Sequence, residues 1–73
     1  MKPDINNLKV GDAVRYEPDH YNGKWENGIV KETPEHTKDS VRVVYNCGND
    51  WGNYMDYTSA LTNLRDLKPG WRT

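Results

Sequence analysis

The side chains able to do chemistry in this chain are few, and most are aromatic. It has three Trp and five Tyr but no Phe, so every ring carries a polar edge beside an apolar body. Such rings suit half-buried positions where one side is dry and the other wet. They gather in YNCGNDWGNYMDY, from Tyr45 to Tyr57, and no Lys or Arg occurs from Val43 to Leu64, while Asp50 and Asp56 lie inside. A ring face attracts a cation by about 0.5–2 kcal/mol. Nearby carboxylates would reinforce that attraction and repel phosphate. Cation recognition is therefore the first chemistry to consider. The candidate ligand-binding residues are Trp25, Tyr45, Trp51, Asn53, Tyr54 and Tyr57. The plainer role for the same rings is to pack a small core and cap its ends.

A second set lies near the C-terminus. Arg65, Lys68 and Arg72 surround Trp71, and together they could contact nucleic acid by charge and stacking. Arg15, Lys31 and Arg42 would add to that surface if they shared its face. The total charge weighs against it, since ten Lys and Arg face eleven Asp and Glu, for a net charge of −1. The competing reading is a solvated surface of mixed sign.

Metal and covalent chemistry have little to stand on. His20, His36 and Cys47 are not at ligand spacing. Cys47 with a distant His could be drawn as a nucleophile pair, but no third group supports it. Asp12 follows Gly11 and serves the start of a strand. The expectation is a protein that is not an enzyme, with no cofactor and no metal.

These residues need a scaffold, and 73 residues allow one domain, 1–73, with a core over about 8–68 and flexible tails at 1–7 and 69–73. Hydrophobic content is 34% and mean hydropathy is −1.07, so the core must be small. The aromatic content still argues for folding, because disordered chains are poor in such residues. A single Cys leaves no intramolecular disulfide and fits a reducing compartment. The opening MKPDINNLKV has no apolar stretch of the signal-peptide kind, and no run is long enough to span a membrane. A soluble, cytoplasmic monomer is expected, with a protein or peptide partner first, nucleic acid second and no membrane.

No segment keeps a helical period over ten residues. Short apolar runs broken by Gly, Pro, Asn and Asp predict an all-β domain. Strands are expected at 11–16, 25–32, 40–45, 51–57 and 64–67, with a helical turn over 58–63 capped by Thr58 or Ser59. Ile29 and Val30 break the alternation of the second strand, and Gly28 beside them signals a bulge or bend. Five short strands with a helical turn before the last predict a small bent barrel that hides most of its edges.

The order VGDAV, NGKWENGIV, VRVVY, WGN, LRDL resembles the SH3-like barrels of the Tudor type over roughly residues 8–67. Barrels of this shape also occur as KOW-type ribosomal and transcription modules. The resemblance implies an aromatic cage for a methylated Arg or Lys side chain. It would be formed by Trp25, Tyr45 and Trp51, with Asn53 as the cage Asn. Two features depart from the pattern. Tyr16 is too early and Tyr21 sits in too long a loop to supply the usual aromatic after the first strand, and NCGND lengthens the turn before WGN. The expected function is a non-enzymatic module that recognises a protein or peptide, with a basic or methylated side chain as the specific ligand. Its alternatives are nucleic-acid binding through Arg65, Lys68, Trp71 and Arg72, and an assembly adaptor of phage or mobile-element origin.

Overall fold

In the computed structural model, which describes residues 4–72, the chain forms one five-stranded antiparallel sheet. The strands are β1 (Ala13–Tyr16), β2 (Glu26–Glu32), β3 (Ser40–Val44), β4 (Ala60–Asn63) and β5 (Leu67–Pro69). Their order across the sheet is β4-β3-β2-β1-β5. The sheet is not closed into a barrel, because β4 and β5 are its two hydrogen-bonded ends and do not pair with each other. It is nevertheless forced to curl. In a flat sheet the edge strands would stand about 19 Å apart, four spacings of the inter-strand distance. Yet only Leu64–Asp66, a 3-10 turn, links β4 to β5. Four residue steps reach at most about 14 Å, so the two edges must swing toward each other.

The core is built from β-branched side chains on the inner face. Val14, Val30 and Val43 are fully buried, with Val41 and Leu67 beside them and Ile5, Leu8, Tyr16, Tyr45 and Leu64 packed around. Ile29 and Val44 are also buried. They pair across β2 and β3 and face the other way. The segment Trp51–Asp56 packs against β2 there. Both faces of β2 are thus covered, which explains two adjacent apolar residues where a half-exposed strand would alternate.

The expected strands at 11–16, 25–32 and 40–45 correspond to β1, β2 and β3. The bulge lies further along β2, as a register shift between Val30 and Glu32. Three of the expected elements are corrected. Residues 51–57 are not a strand. Trp51–Asp56 forms 3-10 turns joined at Asn53, whose φ and ψ are −112° and 28°. Asp50 explains this: its carboxylate accepts from Asn53 Nδ2 at 2.9 Å and from Tyr57 Oη at 2.8 Å, which offers the chain a local alternative to a ladder. Conversely, 58–63 is not a helical turn. Ala60–Asn63 pairs along β3, and the buried Thr62 opposes Val41. Nor is 64–67 a strand: Leu64–Asp66 is the helical turn before the last strand, where Asn63 Oδ1 accepts from Arg65 N–H at 3.0 Å, and the closing strand begins only at Leu67.

The segments expected as tails are bonded where they are described. Asp4 caps the 3-10 turn Ile5–Asn7, and Gly70 N–H donates to Ala13 C=O at 2.9 Å. Residues 1–3 and 73 lie outside the described residues. Among the described residues no helix is long and apolar enough to cross a membrane.

Gly28 is buried where β2 crosses between β1 and β3. A Cβ there would lie 2.5 Å from Val43 Cγ1 and 2.9 Å from both Tyr45 Cδ1 and the Val44 carbonyl oxygen. Gly28→Ala is therefore predicted to destabilise the fold by about 2 kcal/mol or more, in the range of core overpacking. A urea midpoint equal to that of the unsubstituted protein would show that β2 and β3 can separate at little cost.

Candidate functional site

The six ring and amide positions expected to form one ligand site are distributed over three places. Trp25 lies on the outer surface before β2, 38% exposed, with the Arg72 guanidinium carbon 5.1 Å from its ring centroid. Trp51 stacks on Trp71, with centroids 4.8 Å apart and planes at 45°. Tyr45 points into the concave side and meets Tyr16 edge-on at 6.2 Å. Among the described residues no ring contact joins Trp25, Tyr45 and Trp51, so they do not build a common cage. Asn53 and Tyr57 are occupied by Asp50. That bond pushes the Tyr57 phenol above its ordinary value. Tyr54 Oη rests 3.5 Å from the place a Cβ would take on Gly11. These three residues shape the turn over β2.

The nucleic-acid set is also divided. Lys68 Nζ pairs with Asp19 at 3.2 Å, and Arg72 pairs with Glu17 at 2.9 Å. Arg15 shares the Glu17 carboxylate at 2.8 Å, and this bond comes first in holding that carboxyl below its ordinary range. Arg42 lies 3.9 Å from Glu32. Lys31 donates to Tyr57 C=O at 2.6 Å. The cations of this surface are mostly matched by acids or carbonyls, not held in a patch of one sign.

What the fold does bring together is a groove on the concave side, at the opening left between β4 and β5. It has a volume of about 370 Å³. Tyr16 and Tyr45 supply its rings, Leu61 and Thr62 its β4 wall, and Glu26 and Asp66 its two carboxylates. Each position follows from local structure. Tyr16 ends β1 and pairs with Glu26 at the start of β2. Tyr45 follows β3. Asp66 ends the 3-10 turn that crosses the opening, where its C=O accepts from Glu17 N–H at 2.8 Å.

Tyr45 is the fixed point of the groove. Its hydroxyl shares a 2.7 Å hydrogen bond with Thr62 Oγ1, and Thr62 in turn donates to Ala60 C=O at 3.3 Å. Burial pushes the Tyr45 phenol up to about 12, partly offset by Thr62, and the negative charges of Glu26 and Asp66 push the same way. The groove therefore combines two half-buried rings with a negative field. Of these residues only Tyr45 is prominent in the sequence. Tyr16, Glu26 and Asp66 are far apart in the chain, and only the curl of the sheet assembles them. Another hollow, of about 330 Å³ between Ile5–Leu8 and the loop before β3, carries Glu35 and Lys38 and no ring.

No group of three or more His, Cys, Asp or Glu is assembled to hold a metal among the described residues. Cys47 is a buried free thiol. No protein-family model matches the chain, and neither a curated protein nor a solved structure matches it.

The raised Tyr45 value sets a sign for alkaline stability. The fold holds the neutral phenol, so the contribution is complete below the ordinary value of 10.0 and is lost as pH rises toward about 12. Tyr45→Phe should flatten the loss of stability across that window, and cost about 1 kcal/mol near neutrality through the lost Thr62 bond. Urea midpoints measured from pH 8 to 12 for both proteins would test this. Parallel alkaline limbs would place the titrating group elsewhere.

Proposed function

We propose that this chain is a non-enzymatic binding module of SH3-like, Tudor-type architecture that takes a basic side chain of a protein or peptide partner into the concave groove. The single observation that carries the reading is the meeting of the Tyr16 and Tyr45 rings with the carboxylates of Glu26 and Asp66 in one open groove. The order of the five strands, with a 3-10 turn before the last, supports the architecture.

Charge and shape narrow the ligand. A Lys or Arg side chain has an apolar stem that suits Leu61 and the tyrosine rings, and a charged head that suits the two acids. Two rings at 73° form a corner rather than a closed box. Charge, not ring enclosure, then dominates, and an unmethylated head with its donors intact is favoured over a methylated one. Lys68 and Arg72 are each paired with an acid, and Arg65 lines a separate hollow with Asp19 and Asp66, which makes nucleic acid the weaker reading.

The groove predicts how binding should respond to substitution. A fluorescently labelled peptide carrying Lys and Arg should bind with low salt-sensitive affinity. Glu26→Gln and Asp66→Asn should each weaken it by about fivefold, of the order of 1 kcal/mol. Lys38→Gln, in the hollow beside Ile5–Leu8, should leave it unchanged. Equal binding by all four proteins, or binding only to an oligonucleotide, would sink the proposal.

A further inference from the structure

The outer face of β2 carries a second arrangement, separate from the concave groove, in which the chain's own tail is gripped in the manner of a bound peptide. Trp71 Nε1 donates to the Gly28 carbonyl at 2.8 Å, while its ring lies on Trp51. At the next residue, the Asn27 side chain brackets the backbone. Arg72 N–H donates to Asn27 Oδ1 at 2.8 Å, and Asn27 Nδ2 donates to Arg72 C=O at 2.7 Å. The Arg72 guanidinium then lies over the Trp25 ring, 5.1 Å from its centroid, and donates to Glu17 Oε2 at 2.9 Å.

These contacts read three separate properties of a peptide. An amide that satisfies both the N–H and the C=O of one residue recognises extended backbone whatever its side chain. An aromatic face plus a carboxylate recognises a cationic side chain, and the planar guanidinium fits both partners. The carbonyl of Gly28 and the face of Trp51 recognise an indole at the preceding position. Arg15 takes one oxygen of Glu17, Oε1, and leaves Oε2 to face the incoming guanidinium.

We propose that Glu17, Trp25 and Asn27 form a recognition site for an arginine in an extended peptide, preceded by an aromatic residue, and that Trp71 and Arg72 fill this site in cis. The occupant in trans is a partner segment with the same aromatic–arginine step. The side chain of Arg72 is 51% exposed and Trp71 is 40% exposed, so the grip faces solvent and can open without unfolding the core. The tethered tail competes at a high effective concentration, and a partner meets only the fraction of molecules whose site is open. The tail thereby sets a threshold for binding at this face. None of this depends on the concave groove.

The test uses an acetylated hexapeptide with the sequence of residues 68–73, titrated into the labelled full chain and into Trp71→Ala/Arg72→Ala. Amide spectra first establish that the double variant is folded. The expected result is saturable movement of the Trp25 indole N–H and the Asn27 side-chain amide, at least about tenfold tighter in the double variant than in the intact chain. A peptide with its Arg replaced by Gln should lose most of that affinity. Equal affinity for both proteins, or no saturable shift in the folded variant, would overturn the proposal. If the double variant does not fold, Arg72→Ala alone and the Arg72 side-chain N–H of the intact chain serve instead. Millimolar peptide should move that signal toward its free position, and an unmoved signal counts against the site. A mass that rises with concentration in the intact chain, showing tails exchanged between copies, would also overturn the assignment in cis.

Discussion

The fold depends on how closely β2 approaches β3 at Gly28. The valine core has few atoms to offer, and it works only because β2 can be pressed against both neighbours. Val14, Val30 and Val43 are each fully buried on one face, while Ile29 and Val44 are buried on the other. A side chain at residue 28 would meet Val43, the Val44 carbonyl and the Tyr45 ring together. Any separation there would loosen the core and move Tyr45, so the position of that ring and the integrity of the core rest on one contact.

The short connection after β4 has the opposite effect, opening a space instead of closing one. Leu64–Asp66 pulls the two edges of the sheet toward each other but leaves them unpaired. The resulting opening needs a lining that tolerates water on one side and the core on the other. Tyr16 and Tyr45 meet that need, and the bond between Tyr45 and Thr62 fastens the lining to β4. Glu26 and Asp66 then give the opening its sign. On the outer face, the same Trp and Tyr chemistry is used to tie down a polar turn and the tail. This division explains why a chain with eight aromatics has no single aromatic cluster.

Much of the sheet was legible in the sequence because its signals are local. Alternating valines mark β3, and Gly11 with Asp12 marks the start of β1. The segment 51–63 was misread because its outcome depends on distant partners. WGNYMDY alternates like a strand, yet the Asp50 carboxylate captures Asn53 and Tyr57 and winds it into turns. TSALTN has a helical beginning, but β3 offers a ladder and Tyr45 offers Thr62 a bond. The candidate site was legible in kind, as rings near acids, and misplaced in detail. The Tudor-type resemblance groups Trp25 and Trp51 with Tyr45, whereas the three rings make separate contacts in the fold. Tyr16 and Glu26 could have been linked by pairing the ends of β1 and β2. Asp66 could not, since only the curl of the sheet brings it near.

The most direct test of the concave groove is amide-shift mapping of the labelled chain with a lysine- and arginine-bearing peptide and its methylated counterparts. The account predicts saturable shifts at Tyr16, Glu26, Tyr45 and Asn63–Asp66, strongest for the unmethylated peptide. Shifts confined to Trp51–Tyr57 with a preference for methylated peptides, or shifts only with an oligonucleotide around Arg65–Arg72, would contradict it.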